Sequence, residues 1–111
     1  MTPEEAKQKI IDKVLATKEG WIASHVDVFD TYKTHFYTHP DIPDVSVKVV
    51  RSFERLPIQY EFSICVERRV LALDKDPNGP IAAIVQNGET NRLKKEIAEQ
   101  NNKLIAIAKN L

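Results

Sequence analysis

Val45-Ser46-Val47-Lys48-Val49-Val50-Arg51-Ser52-Phe53, followed four residues later by Ile58-Gln59-Tyr60-Glu61-Phe62-Ser63-Ile64-Cys65-Val66, is the stretch on which the fold turns. In the first run Val45, Val47, Val49 and Phe53 fall on one side, and Ser46, Lys48, Ser52 and Glu54 on the other. In the second, Ile58, Tyr60, Phe62, Ile64 and Val66 alternate with Gln59, Glu61, Ser63, Cys65 and Glu67. A period of two sends successive side chains to opposite faces of a pleated strand. With Leu56-Pro57 as a short connection, the two runs predict an antiparallel hairpin with one packed and one wet face.

Working outward toward the C-terminus, Arg68 and Arg69 disturb the alternation before Val70, Leu71 and Leu73, as a bulge or strand end near Arg68 would. Asp74-Lys75-Asp76-Pro77-Asn78-Gly79-Pro80 is a turn. The short apolar run Ile81 to Val85, closed by Asn87-Gly88, reads as a third strand. From Glu89 to Leu111 there is neither Pro nor Gly, and the stretch reads as a long helix.

Toward the N-terminus, Thr2 can cap a helix, Pro3 suits its first position, and Glu5 stands three residues after the cap. Ile10, Ile11, Val14 and Leu15 continue it, and Gly20 ends it. Between residues 21 and 39, Ile22, Val26, Phe29 and Phe36 follow a helical stripe with Trp21 and Tyr32 beside it. Parts of the segment also alternate as a strand does, but Asp30 breaks the alternation and no turn signal interrupts it, so a second helix is expected. The prolines of His39-Pro40-Asp41-Ile42-Pro43-Asp44 make a loop. The expected class is α+β: a three-stranded antiparallel sheet over about 45–55, 58–73 and 81–86, with an N-terminal helix or helices and a long C-terminal helix packed on one face.

A chain of 111 residues fits one domain, and 42% hydrophobic with 29% charged residues is a globular balance. Sixteen basic and sixteen acidic residues cancel, against the global basic field of a dedicated nucleic-acid binder. Cys65 is the single cysteine and can form no intrachain disulfide. An acidic Met1-Thr2-Pro3-Glu4-Glu5 start, and no run near the roughly 20 apolar residues of a membrane span, point to a cytoplasmic protein without a membrane partner.

Three chemistries fall on particular residues. His25, Asp27, Asp30, His35, His39, Asp41 and Asp44 form the one cluster with metal-ligand or acid–base potential. On a helix His35 and His39 would share a face, but Pro40 disfavours that geometry, so solvated polarity is the simpler reading and no metal or cofactor is expected. The basic residues Lys48, Arg51, Arg55, Arg68, Arg69, Arg92, Lys94 and Lys95 could form a nucleic-acid surface. An order of helix, three strands and helix is similar to the double-stranded RNA-binding domain in element order alone. Glu54, Glu61, Glu67, Glu89, Glu96 and Glu99 dilute the field, which favours a mixed-charge solvated face. Cys65 reads as a packed structural thiol rather than a reactive one.

On the last helix, Leu93, Ile97, Leu104, Ile107 and Leu111 follow alternating four–three spacing, with Gln100 as the one polar break. Such a seam can pair with another helix, but Ile105 and Ala108 widen the stripe toward what covers a sheet. The helix is therefore expected to pack mainly on its own hairpin, with a homodimer contact as the secondary reading. No Gly-rich phosphate loop, Gly-x-Ser-x-Gly elbow or Cys-x-x-Cys is present. The expectation is therefore a small non-catalytic protein-binding module of the inhibitor, immunity or adaptor kind. Its contact surface is expected at Tyr32, Phe36, Tyr37, His39, Asp41 and Asp44, with nucleic-acid binding and metal-dependent catalysis as the alternatives.

Overall fold

The computed structural model describes all 111 residues and begins with the expected helix, α1, Pro3–Ala16. Thr2 caps it: its side chain accepts the Glu5 amide at 3.2 Å and donates to the Glu5 carboxylate at 3.1 Å. The helix ends earlier than the expected Gly20: Thr17 caps it, its amide and hydroxyl donating to the Lys13 carbonyl. Gly20, with φ of 89°, lies in the connection to the next element in a conformation that costs other residues.

Five strands follow: β1 (Ile22–Val28), β2 (Tyr32–His39), β3 (Ile42–Ser52), β4 (Gln59–Val66) and β5 (Arg69–Asp74). They form one antiparallel meander in chain order. The chain ends in a single helix of 30 residues, α2, Pro80–Lys109. The molecule is α+β, but its sheet has five strands rather than three, and three expectations are corrected.

Residues 21–39 are not a helix but the hairpin β1–β2. Its register shifts between Ala23 and His25, which scrambles the two-residue phase, and its turn at 29–31 carries neither Gly nor Pro. The expected strand 58–73 is two strands, broken at Glu67, which adopts a positive φ of 53°. The expected strand 81–86 is the first turns of α2. Gly79 stands at its N-cap and Pro80 at its first position, and Ile81, Ile84, Val85 and Gly88 are buried at helical spacing. A short apolar run has no period long enough to separate helix from buried strand, so packing decided the matter. With five strands, the similarity in element order to the double-stranded RNA-binding domain lapses.

The alternating runs do pair as a hairpin, β3 with β4, with Val45 opposite Val66, Val47 opposite Ile64 and Val49 opposite Phe62. Phe53 and Ile58, however, fall outside the strands and are exposed, and Ile42, Pro43 and Asp44, expected as loop, begin β3. The paired apolar side chains form one core with Val14 of α1, Trp21, Tyr37 and the Ile81–Val85 turns of α2. On the other face, Ser63 and Cys65 are nonetheless buried. Ser63 sits between Lys48 and Leu73, and Cys65 between Ser46 and Val70, so longer neighbours overhang small side chains.

Asn87-Gly88, read above as a closing turn, instead docks α2 on the α1–β1 connection. The Asn87 amide donates to the Lys18 carbonyl at 2.9 Å. A Cβ on Gly88 would come within 2.9 Å of the Trp21 carbonyl oxygen and 3.0 Å of the Tyr37 ring. The glycine therefore serves close approach, not a bend.

Beyond this dock α2 leaves the body, so the expectation that the long helix packs on the sheet along its length is also corrected: only its first three turns do. A radius of gyration of 17.0 Å exceeds the ~13 Å of a compact chain this long. The extents are 64 × 37 × 23 Å, as a helix of about 45 Å with well over half its length clear of a small sheet requires. No helix is long and apolar enough to cross a membrane.

Candidate functional site

Two features are left over once the core is assembled: a cleft between the sheet and α2, and the projecting half of α2. The cleft, about 400 Å³, opens where α2 crosses the Arg51 end of β3 and the Tyr60 end of β4. Val49, Tyr60 and Phe62 form one wall, Ala82 and Val85 the other, and Arg51, Gln86, Glu89 and Thr90 contribute polar groups. The Arg51 guanidinium lies 5.9 Å from the centre of the Tyr60 ring, within cation–π range.

A latch lies along one side of the cleft. The Tyr37 hydroxyl donates to one Glu89 carboxylate oxygen. Arg92 Nε donates to the other at 3.0 Å and Arg92 Nη1 to Glu96 at 2.7 Å. Burial, reinforced by the Glu89 carboxylate, pushes the Tyr37 phenol well above its ordinary value. Burial alone would raise Glu89, but the bonds from Tyr37 and Arg92 outweigh it and hold the carboxyl below the ordinary glutamate value. On β2, His35 is pushed down first by burial and then by the Arg51 charge, with Glu89 opposing and Lys33 and Arg92 adding to the fall. Nε2 of His35 and Nε of Arg51 are buried without hydrogen-bond partners. With both Glu89 oxygens engaged and Tyr37 kept protonated, the latch ties α2 to the sheet.

From Asn91 onward every residue of α2 is exposed. Leu93, Ile97, Leu104 and Ile107 are 49–65% accessible on the four–three seam, and Leu111 is fully so. Gln100, Lys103, Leu104 and Ile107 line a shallow depression on the helix. Their spacing is i, i+3, i+4 and i+7, the four-residue hole that receives a side chain from a neighbouring helix.

The residues singled out in the sequence do not share one surface. Tyr37 is wholly buried beneath α2. Phe36 faces the other side of the sheet, 5.7 Å from the His25 ring, and Tyr32 stacks on Phe29 at 4.3 Å near the far end of β2. His39 is a staple: Nδ1 accepts from the Asp41 amide and Nε2 donates to the Glu19 carbonyl, both at 3.0 Å. Asp44, with φ of 66°, and His39 line a separate shallow hollow at the β2–β3 turn.

The His/Asp cluster also divides. His25 pairs with Asp27 at 2.6 Å on one sheet face while His35 lies on the other, and no group of three such residues is placed to hold a metal ion. Among the basic residues only Arg51 lines the cleft, and Arg92 reaches its edge through Glu89. Arg68 and Arg69 lie at the β4–β5 turn, the opposite end of the sheet, Arg55 lies in the β3–β4 loop, Lys48 is on the other face, and Lys94 and Lys95 are on the projecting helix. Tyr37 and Glu89 are 52 positions apart, so no local signal could have announced their bond. Compared with known proteins, the chain matches no family model, no curated protein and no solved structure.

Proposed function

We propose that this chain is a non-catalytic protein-binding module whose contact surface is the projecting half of α2. The observation that carries the reading is the exposed apolar seam Leu93–Ile97–Leu104–Ile107, on which nothing of the chain's own body packs. An apolar stripe of that length left in water is unfavourable by the area it exposes, and covering it with a second helix removes that cost. The seam replaces the scattered Tyr32–Asp44 set as the preferred surface, because its members lie side by side. The free, buried thiol of Cys65 suits a reducing compartment, and we place the module in the cytoplasm.

Native mass spectrometry on protein isolated gently from its own cells tests the reading. A species heavier than the 12.7 kDa chain, lost on Leu104→Lys, is expected. Bare chain alone, or a complex indifferent to Leu104→Lys and Ile97→Lys, overturns it.

A further inference from the structure

We propose that the partner on this seam is a second copy of the chain, its α2 laid antiparallel, so that the end of each helix enters the cleft of the other. The inference rests on the protein-binding reading above and names its partner. Two observations select this occupant and this geometry.

One is charge. In an antiparallel pair the seam can slide only by whole heptads without losing its apolar contacts. Placing Leu104 opposite the partner's Leu93, and Ile97 opposite the partner's Gln100, brings Glu96 beside the partner's Lys103. Two-fold symmetry repeats that contact, so the interface closes on itself. A slip of one heptad one way sets Lys103 against the partner's Lys103. A slip the other way sets Glu96 against Glu96 and Lys94 against Lys94. Only the first register is free of like-charge contacts along its flanks.

The other is continuity with the cleft. Thr90 and Gln86, one and two turns before Leu93 on the same side of α2, line it. The selected register sets the partner's Ile107 opposite Thr90 and the partner's Leu111 opposite Gln86. The apolar end of one helix then lies against Val49, Tyr60 and Phe62 of the other molecule's cleft. Parallel pairing would instead bring a second folded body to the place where the sheet already flanks α2. It would also rely on Glu89 to meet the partner's Lys94, although both Glu89 oxygens are taken. Gln100 is the polar position in the seam and weakens the pair, so the dimer dissociates on dilution.

Sedimentation equilibrium at low salt, on the full chain at high micromolar concentration, tests this. Wild type is expected at twice the 12.7 kDa chain mass. Glu96→Lys alone and Lys103→Glu alone each weaken association by about tenfold, since each turns both attractive contacts repulsive. The double variant Glu96→Lys/Lys103→Glu recovers it, and an equimolar mixture of the two single variants associates more tightly than either alone. Both positions are exposed and leave the body folded. A wild-type monomer, or single variants that associate like wild type, overturns the antiparallel dimer. Should the wild type be monomeric while a foreign chain is carried from cells in a Leu104-dependent complex, the dimer fails and the protein-binding reading stands.

Discussion

At the scale of single residues, two sites separate competing effects by magnitude. Gly88 lies inside α2, where alanine would gain about 1 kcal/mol in helix propensity. The added Cβ, however, meets the Trp21 backbone carbonyl and the Tyr37 ring, and overpacking of that kind costs about 1–3 kcal/mol. A carbonyl held in the α1–β1 connection cannot rotate aside as a flexible side chain can, so Gly88→Ala is expected to lower the melting temperature, by a net loss of about 1 kcal/mol. A thermal melt followed by circular dichroism checks it, and a variant melting higher than wild type would refute the close-approach role. The second site is the His35–Glu89 side of the cleft. His35 has a folded-state value below its ordinary 6.5, so the unfolded chain takes up its proton first and stability declines as pH falls through that region. Glu89 has a folded-state value below its ordinary 4.5, so its contribution is present above that pH and is lost as acid protonates it. Both act in one direction in two windows. In melts across pH, His35→Gln is expected to flatten the upper decline and Glu89→Gln the lower one; profiles parallel to wild type in both variants would show that neither group is coupled to folding.

At the scale of elements, legibility followed how local the causes were. Helix α1 was readable because Thr2, Pro3 and Glu5 act within one turn. The β3–β4 hairpin was readable because its alternation is unbroken over both strands. The β1–β2 hairpin was hidden by one bulge at Ala23/His25 and a turn without Gly or Pro. The start of α2 was hidden because Ile81–Val85 is too short to show a period, and Asn87-Gly88 mimics a turn while serving as a dock. The seam on α2 was visible as spacing, but only the fold shows it to be uncovered; the cleft joins residues from β3, β4 and α2 and had no local signal at all. The same division predicts how α2 behaves. Its first three turns are held by the core, the Asn87 dock and the Glu89 latch, while the remainder rests on helix propensity and the Arg92–Glu96 pair. An exposed i,i+4 pair of this kind is screened by water and adds little. In the Lys103→Glu variant at low concentration, which leaves the Arg92–Glu96 pair in place, amides of residues 93–109 are therefore expected to exchange with solvent far faster than those of 84–88, by hydrogen exchange with mass detection. Equal protection along the whole helix would mean that the distal half has an intramolecular support of its own.

At the scale of the whole molecule, the body and the projecting helix make shape a direct readout of assembly. A chain with extents of 64 × 37 × 23 Å is already elongated, and the two ways of pairing its helices change that in opposite senses. In the antiparallel register the two bodies grip α2 near residue 85 of each chain and lie at opposite ends of the shared helices. About 27 residues of helix then separate the attachment points, or about 40 Å along the axis at 1.5 Å per residue. A parallel pair would bring those points within one helix–helix distance, about 8–10 Å. Small-angle scattering from the dimer is therefore expected to give a distance distribution with a main peak from distances within each body and a shoulder beyond about 40 Å from distances between the bodies. Breaking the pair with Ile97→Lys should remove the shoulder and return the radius of gyration toward the 17.0 Å of the single chain. A dimer whose distribution has one compact peak would reject the antiparallel arrangement even if the mass were right. Its bodies would then be adjacent, and the cleft would have to be filled by something other than the end of a partner's helix.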